Sequence, residues 1–511
     1  MQRINGIKLF LGEEESLLKN RVAKLLRVNP NEIQYLKIVK KSLDARDKSK
    51  IFFTYNIDCS LTPVLEKARE FKQVKGEVAV IGSGPCGLFC ALYLARSGVK
   101  VTLLERGGSV QERSSVNRHF FKTGILNTEC NVQFGEGGAG TFSDGKLNTQ
   151  VNNERIKMVL EDFVTYGAPE EITYLSKPHI GSDNLPRVVR NIRNEIKRLG
   201  GTVIFNAKVC DFQIKNGRLE GISYKNSEGI HNFKCEKAVL AIGHSARDTF
   251  EILSRKGVYM ESKDFAVGFR IEHLQEQIAL NQYGKNYRSL PSAEYKLVSH
   301  VGERDVFTFC MCPGGYVIPA TSEENAVVTN GMSYYARDGI NANSAVICKV
   351  TKADFDSDDA LAGIRFQQNL ERKAYICGGG NYKAPVQLVK DFINKRESAH
   401  YSLVEPTYEL GTTLYPLHEF FNTSITQSIT NAVLDMNKKI KGFCDEGALF
   451  TGVESRTSSP LRIIRGEDMQ SVTVKGLYPA GEGAGYAGGI TSAAADGIKV
   501  ATTIIEQLEN L

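Results

Sequence analysis

The sequence predicts an α/β fold. A Rossmann-like dinucleotide-binding domain carries an inserted α+β substrate or cap domain and follows a small N-terminal α+β module. Two observations predict this architecture. The stretch "VAVIGSGPCGLFCALYLARSGVKVTLLE" (78–105) joins a buried strand, a glycine-rich turn, an amphipathic helix, a second strand and an acid, in the order of a dinucleotide-binding unit. Glycine-rich sequence of the same kind returns at Gly476, so we expect the chain to leave this domain and re-enter it near its end.

Residues 1–70 are expected to form the separate module. "IKLFL" alternates as a strand, and the next segment places four residues on one helical face: Leu18, Val22, Leu25 and Leu26. "EIQYLKIV" and "IFFTYNI" predict two further strands. Between them, residues 37–50 carry six basic and two acidic side chains. We favour a solvated surface for this segment, and a patch that binds RNA or a partner is the alternative.

The nucleotide domain is predicted to begin at residue 74. Residues 201–224 predict strands that meet at an Asn216-Gly217 turn, and residues 236–248 predict a buried strand that ends in glycine. From about residue 265 the chain changes to longer polar stretches. We therefore divide the chain into a module (1–70), a first nucleotide-binding part (74–265), an insertion (266–440) and a C-terminal nucleotide-binding part (441–511).

Composition narrows the class of protein. The 511 residues are 42% hydrophobic and 24% charged, which is typical of a soluble globular protein, and the net charge of +6 does not by itself indicate nucleic acid. We expect no signal peptide and no membrane span. The eleven cysteines include no CxxC pair, which favours reduced thiols in the cytoplasm. No HExxH or Walker lysine loop appears, so no metal site is predicted.

The first nucleotide motif is a GxGxxG turn. Its three glycines permit the tight turn, the approach of phosphate and the packing of helix against strand. Glu105 lies 23 residues beyond Gly82, at the spacing expected for an acid that accepts the ribose hydroxyls. An acid there favours FAD or NAD over NADP. The residues predicted to bind the dinucleotide here are Gly82, Ser83, Gly84, Pro85, Cys86, Gly87, Glu105 and Arg106.

The second motif is "GLYPAGEGAGYAGGITSAAADG" (476–497). It resembles the C-terminal flavin motif of the two-dinucleotide-fold superfamily of glutathione reductase and p-hydroxybenzoate hydroxylase. That resemblance implies that Glu482, after Gly481, hydrogen-bonds the ribityl chain, and that a helix N-terminus faces the flavin pyrimidine carbonyl. A helix N-terminus stabilises negative charge on a reduced flavin. The residues expected at the start of this helix are Gly488, Gly489, Ile490 and Thr491.

Two smaller matches to the same superfamily agree with this assignment. Val209 occupies the strand that usually contacts adenine through its backbone, and Gly243 closes a strand that resembles the Ala-Thr-Gly strand end. The dinucleotide is therefore predicted to be non-covalent FAD.

Four further stretches between the two flavin motifs are unusual in composition: "NVQFGEGGAGTFSDGKL" (131–147), "CMCPGGYVIPA" (310–320), "NGMSYYARD" (330–338) and "TGVESRTSSPLRIIR" (451–465). With the two flavin motifs, they resemble the uncharacterised FAD-dependent, or NAD(FAD)-utilising, dehydrogenases of bacteria. The likeness covers essentially the whole chain. It implies FAD binding and a redox role, without an agreed substrate.

The loop "GEGGAGTFSDGK" (135–146) contains five glycines. We predict that it lies against the cofactor and presents backbone N–H groups as a nest. Arg113 is expected either to pair with a phosphate or to be solvated. The residues of the loop predicted to bind cofactor are Gly137, Gly138, Ala139, Gly140 and Thr141, with Lys146 as a weak catalytic candidate.

Two other groups leave alternatives open. Cys310 and Cys312 are weak catalytic candidates as a strained, reducible pair, but thiols that alternate along a strand are the favoured interpretation. The charged stretch at 451–465 is either an anion site or an interdomain salt-bridge cluster. Its charged residues are Glu454, Arg456, Arg462 and Arg465.

The prediction is a FAD-dependent oxidoreductase, a dehydrogenase or reductase that transfers hydride through flavin N5 to or from an unidentified small-molecule substrate. A flavin-dependent nucleic-acid-modifying enzyme and a non-catalytic flavoprotein scaffold are the alternatives, and nucleic acid is not the favoured partner. No second strand–GxGxxG–helix unit marks an NAD(P)H domain. If NAD(P)H is the electron donor, we expect it to dock in a cleft that no motif marks.

Overall fold

The computed structural model describes residues 1–65, 69–147, 153–355 and 357–510. The N-terminal module is an antiparallel sheet of order β1-β3-β2 with one helix. Leu18 and Val22 of the helix are buried, whereas Leu25, predicted on the same face, is exposed in the last helical turn. The elements of the module are β1 (Gln2–Phe10), α1 (Leu17–Leu26), β2 (Tyr35–Asp44) and β3 (Phe52–Ser60).

The basic segment at 37–50 lies on this module. Lys41 forms an ion pair with Glu15, and Arg46 pairs with Asp44. Arg46 is exposed and Lys41 is half-buried, and surface pairs of this kind contribute little to stability. They support the interpretation of this segment as a solvated surface.

The nucleotide-binding domain is built on a parallel sheet of order β22-β10-β4-β5-β6. An antiparallel sheet of order β7-β8-β9 covers part of it and contains the predicted turn at Asn216 and Gly217. The elements of the nucleotide-binding domain before the insertion are β4 (Glu77–Ile81), α2 (Pro85–Arg96), β5 (Lys100–Leu104), α3 (Val110–Thr123), α4 (Glu154–Thr165), α5 (Leu185–Arg198), β6 (Thr202–Ile204), β7 (Lys208–Lys215), β8 (Arg218–Asn226), β9 (Gly229–Lys234), β10 (Ala238–Leu240), α6 (Arg247–Arg255) and β11 (Met260–Ser262).

The insertion is organised around a seven-stranded sheet of order β13-β14-β17-β12-β20-β18-β19. Phe269 on its central strand packs against the rings of Phe392, Phe420, Phe421 and Phe450. The elements of this domain are β12 (Phe265–Leu274), α7 (Gln275–Tyr283), β13 (Val298–Ser299), β14 (Val306–Cys312), β15 (Tyr316–Pro319), β16 (Thr329–Met332), β17 (Asn341–Val350), α8 (Ala362–Cys377), β18 (Ala384–Leu388), α9 (Val389–Ile393), β19 (Thr412–Leu414), α10 (Thr423–Lys439) and β20 (Leu449–Glu454).

The insertion ends later than the sequence predicts. Strand β20 lies beyond the predicted boundary at residue 440, yet it pairs with β12 and β18 inside the seven-stranded sheet. The chain then returns to the nucleotide-binding domain through three elements: β21 (Leu461–Ile463), β22 (Leu477–Pro479) and α11 (Ile490–Glu509). The sequence places this boundary too early because a six-residue buried strand does not show in its own pattern which sheet it joins.

The C-terminal helix α11 lies directly against α2, the helix that follows the GxGxxG turn. A Cβ atom on Gly497 would meet the carbonyl oxygen of Cys86 at 2.1 Å, so the small-residue run "SAAADG" permits the close packing that the sequence predicts. Among the described residues, no helix is both long and apolar enough to cross a membrane.

A buried ion cluster joins the two large domains. Glu371 on α8 is fully buried and lies between Arg247 on α6 and Arg456, which follows β20. Arg247 donates to both Glu371 oxygens at 2.7 and 2.8 Å, and Arg456 donates to both at 2.7 and 3.0 Å. Although burial opposes ionisation, the two guanidinium groups hold the pKa of Glu371 well below its usual range.

We expect Glu371→Gln to destabilise the fold by about 3–5 kcal/mol, because two buried guanidinium groups lose the carboxylate that they share and keep only Glu323, 2.8 Å from Arg247 and 4.0 Å from Arg456, as a counter-charge. Urea denaturation at pH 7 measures this free energy of unfolding, and the exposed Glu251→Gln is the control. Because the folded-state pKa of Glu371 is depressed, its contribution is present above the ordinary glutamate pKa of 4.5 and is lost as the pH falls below it. Equal stability of Glu371→Gln and wild type at pH 7 would contradict this assignment.

Candidate functional site

A cavity of about 470 Å³ lies between the nucleotide-binding domain and the insertion. Its lining brings together most of the residues that the sequence predicts as cofactor ligands. The predicted site residues that line it are Gly82, Gly84, Pro85, Cys86, Glu105, Arg106, Gly138, Ala139, Gly140, Lys146, Val209, Gly243, Cys310, Glu482, Gly488, Gly489 and Ile490. Those that lie outside the lining are Ser83, Gly87, Arg113, Gly137, Thr141, Cys312, Gly481 and Thr491.

The GxGxxG turn forms one end of the cavity. Gly84 is the extended N-cap of α2, and the helix begins at Pro85, so the first-turn amides have no helical partner. A Cβ atom on Gly84 would approach Gly138 only to 3.7 Å, so the chain leaves free space above this residue. Gly87 does a different job, because a Cβ there would lie 1.8 Å from the carbonyl oxygen of Gly82. It permits the helix to lie against the strand.

Glu105, predicted to accept ribose hydroxyls, also holds two loops together. Its Oε2 accepts from the amide and the hydroxyl of Ser83, each at 2.8 Å. Its Oε1 accepts from the amides of Gly107 and Gly135, each at 3.0 Å. The carboxylate is buried at the edge of the cavity and joins the GxGxxG turn to the glycine-rich loop. Its contact with ribose stays a prediction.

Arg113 shapes the glycine-rich loop from behind. Its side chain is fully buried and donates to the carbonyl groups of residues 131, 132, 135, 136 and 138 at 2.7–3.3 Å. Burial lowers the pKa of this guanidinium to about 10. Because its donors are taken up by the loop, the structure gives neither of the roles expected from the sequence, a phosphate partner or a solvated arginine.

A network of charges surrounds the outer edge of this half of the cavity. Arg106 pairs with Asp248 at 3.0 Å and with Glu129 at 2.7 Å, and Lys208 pairs with the same two carboxylates. The guanidinium of Arg106 lies 3.9 Å from the centre of the Phe134 ring. Beside it, Val209 on β7 lines the cavity where the sequence predicts an adenine contact.

The second flavin motif forms the opposite part of the wall. Glu482 lines the cavity, and burial raises its pKa to about 7. His244 Nδ1 lies 3.6 Å from Glu482 Oε1. Since burial lowers the pKa of His244 to about 3, the imidazole is neutral and this is a polar contact without ionic character. His244 Nε2 is buried without a hydrogen-bond partner.

The remaining residues of this motif support the wall from outside. The amide of Gly481 donates to Asp496 Oδ2 at 2.8 Å, and the Thr491 hydroxyl donates to the carbonyl oxygen of Leu147 at 3.0 Å. Gly489 is the N-cap of α11. The structure thus brings the N-terminal ends of α2 and α11 to the same cavity.

The insertion supplies the third part of the wall. Its contribution includes Met311 and Asn330, from the unusual stretches at 310–320 and 330–338, and residues that no motif marked: Glu294, Tyr295, Lys296, Thr308 and Phe309. Lys146 of the glycine-rich loop lies 3.2 Å from Glu294, which Lys177 also contacts at 2.8 Å. Although burial opposes ionisation, these lysines lower the pKa of Glu294 to about 2.

The charged residues at 451–465 have different surroundings: some form ion pairs, and one presents an unpartnered carboxyl oxygen. Arg456 binds Glu371, and Arg465 binds Asp496 at 2.6 Å. These pairs agree with the salt-bridge interpretation. Glu454 differs, because it lines the cavity and its Oε2 is buried without a hydrogen-bond partner. Burial raises the pKa of Glu454 to about 7.

The residues present fit a flavin dinucleotide. Two helix N-termini and two glycine-rich loops offer backbone donors to an elongated anionic ligand. Free space above Gly84 leaves room at the first helix, and the unpartnered polar atoms of His244 and Glu454 lie at the other end. Apolar side chains between these ends suit a planar ring.

Comparison with known proteins supports FAD as the cofactor. Residues 76–279 match the family described as pyridine nucleotide-disulphide oxidoreductase, residues 264–457 match the C-terminal domain of FAD-dependent proteins, and residues 1–60 match a domain of unknown function. The second match ends just beyond β20, where the structure ends the insertion. FAD is therefore the cofactor.

Three individual proteins are similar to this chain to different degrees. An uncharacterized protein of Clostridium beijerinckii is 46% identical over 531 aligned positions and covers 99% of both chains. A geranylgeranyl bacteriochlorophyll reductase-like protein from Thermoplasma acidophilum is 11% identical, with a TM-score of 0.39 over 86% of this chain and 80% of its own. L-proline dehydrogenase from P. horikoshii is 12% identical, with a TM-score of 0.38 over 85% and 94%. The chain belongs to the family of uncharacterised FAD-dependent proteins that join a pyridine nucleotide-disulphide oxidoreductase domain to a FAD-dependent C-terminal domain.

Proposed function

We propose that this protein is a FAD-dependent oxidoreductase that transfers a hydride between its flavin and a small molecule bound at the insertion side of the cavity. One observation carries the proposal. A single cavity is lined by both nucleotide motifs and by the insertion, so cofactor and substrate would share one space. Active sites gather at such domain junctions.

The nucleotide side would hold the pyrophosphate. The free first-turn amides of α2 and the extended backbone at Gly84 provide donors and positive helix-dipole potential. Glu105 keeps the glycine-rich loop next to this turn through its bonds to Ser83 and Gly135. The loop is thereby fixed before any ligand binds, which lowers the entropy lost on binding.

The flavin side would hold the ring system. When bound, FAD supplies a carrier that accepts or gives up a hydride at N5. The N-terminus of α11 at Gly489 provides positive potential for negative charge on the reduced ring. Ile242, Ile490 and Ala493 line the same region with apolar surface, which excludes water from a hydride acceptor.

The insertion side would handle the substrate. Lys146, Lys177 and Lys296 line this part together with Glu294, so the lysines outnumber the carboxylate. Glu454 holds a proton near neutral pH at a buried carboxyl group. Such a group can exchange a proton with a bound substrate in step with hydride transfer.

The purified protein is expected to show a flavin absorption spectrum that bleaches on anaerobic addition of NADH or NADPH, because a two-electron donor would enter the insertion side of the cavity. Stopped-flow absorbance at the flavin maximum measures the rate with each nucleotide. The nucleotide-free protein mixed with buffer is the control. A flavin that no nucleotide and no organic donor reduces would contradict the oxidoreductase proposal and favour a non-catalytic flavoprotein.

Gly84→Val is expected to give folded but colourless protein, because its side chain would fill the free space where phosphate must approach. Gly84→Ala is the graded control and should retain part of the FAD. Far-ultraviolet circular dichroism tests the fold, and the ratio of flavin to protein absorbance tests occupancy. Full FAD content in Gly84→Val would place the pyrophosphate elsewhere.

A further inference from the structure

We propose that Cys310 and Cys312 form a redox-active dithiol that exchanges two electrons with the bound FAD and reduces a disulfide substrate. The inference rests on the proposed function, because it uses the same cavity and cofactor. It names a substrate class for that cavity, and it assigns the electron relay to the insertion and not to the nucleotide-binding domain.

The local backbone separates these cysteines from an ordinary strand. β14 pairs regularly with β17 up to Phe309↔Ala345 and resumes at Cys312↔Asn343, so β14 contains one extra residue. Such a bulge re-aims a side chain. Cys310 lies in this bulge with φ of +45°, a left-handed conformation that is uncommon for a residue other than glycine. A strained backbone of this kind often occurs at functional sites.

The bulge brings the two thiols together and gives only one of them access to the cavity. Cys310 is partly exposed and lines the cavity, whereas Cys312 is fully buried. The two residues are in direct contact, because the Cys312 thiol donates to the Cys310 carbonyl oxygen at 3.3 Å. A reactive thiol with a buried resolving partner is the arrangement that disulfide exchange needs.

A buried cation controls the charge of the pair. Arg270 is fully buried; its Nη2 donates to the Cys310 carbonyl and lies 3.6 Å from the Cys312 sulfur. Its Nη1 donates to Glu454 Oε1 at 3.0 Å. One guanidinium therefore faces three acidic groups, and one negative charge among them balances it.

The proton distribution among these groups favours a thiolate at the cavity. The hydrogen bond from Cys312 and the charges of Arg270 and Lys146 lower the pKa of Cys310, while burial and the Cys310 side chain raise that of Cys312. Burial and the neighbouring thiol raise the pKa of Glu454, opposed by Arg270. The site can then hold Cys310 as thiolate with Glu454 as a neutral acid.

The other thiol at the cavity lacks these features. Among the described residues, Cys86 is the second cysteine in the lining. It lies inside α2, and burial raises its pKa well above the usual range, as it does for Cys90 one turn away. A cysteine of this kind is a packing residue.

The proposed reaction is a thiol–disulfide exchange followed by reduction of the protein disulfide. The Cys310 thiolate attacks one sulfur of a substrate disulfide, whose S–S bond breaks, and the other sulfur leaves as a thiolate and takes a proton from Glu454. The Cys312 thiol then attacks Cys310 sulfur, releases the second substrate thiol and closes the Cys310–Cys312 disulfide. Two electrons from reduced FAD, with two protons, return this disulfide to the dithiol.

The test is an anaerobic dithionite titration of air-oxidised holoprotein. Wild type is expected to take up four electrons per FAD, two for the flavin and two for the disulfide. Cys310→Ser and Cys312→Ser should each take up two, and Cys377→Ser, a partly exposed thiol outside the cavity, should take up four. Uptake of two electrons by wild type would overturn the dithiol proposal and leave the proposed function intact. Protein without FAD would overturn the proposed function itself.

A second measurement needs no variant. Alkylation of denatured wild-type protein, before and after the titration, should show two additional modified cysteines after reduction, located by peptide mass at residues 310 and 312. Dithionite-reduced holoprotein, freed of reductant and mixed with hydroxyethyl disulfide, should reoxidise its flavin without oxygen. Unchanged thiol mapping would overturn the cysteine pair, and an inert flavin would overturn the substrate class.

Discussion

The buried carboxylate of Glu371 is the constraint on which the site depends. It receives two hydrogen bonds from each of two arginines, one on α6 of the nucleotide-binding domain and one after β20 of the insertion. A buried charge of this kind is costly unless every partner is in place. The cluster therefore helps to hold the two domains together, with the buried pair of Asp144 and Arg337, and the cavity lies where the domains meet. Arg456 also lines the cavity, so one residue of the Glu371 cluster belongs to the wall of the candidate site.

Within this frame, charge is placed according to what each part of the cavity must do. Helix N-termini at Gly84 and Gly489 offer backbone donors and positive potential to an anionic dinucleotide. Two carboxyl groups of the wall instead hold protons near neutral pH: burial raises the pKa of Glu482, in the second flavin motif, and of Glu454, at the end of β20, to about 7. Fixed positive potential from helix N-termini, together with acids that titrate near neutral pH, suits an oxidoreductase that couples hydride transfer to proton transfer.

The sequence predicted the parts of the site that depend on local geometry. Turns and close backbone contacts, such as Gly497 against Cys86, require glycine at fixed positions in the two motifs. The spacing of these glycines can be recognised in the sequence. Residues such as Thr308 and Phe309 reach the cavity only because β14 pairs with the distant strand β17, and no local pattern records that pairing. Arg113 shows a third case. Its charge suggested phosphate or solvent, but its burial depends on five loop carbonyls whose positions the sequence does not reveal. β20 was misplaced for a similar reason, since its sheet partners lie elsewhere in the chain.

The most direct test of the account is a crystal structure of the protein loaded with FAD. The account predicts the pyrophosphate at the N-terminus of α2 beside Gly84, the isoalloxazine ring between the start of α11 and β14, and the Cys310 sulfur facing the ring. A ring bound outside the interdomain cavity, or a pyrophosphate away from the GxGxxG turn, would contradict the assignment of the site.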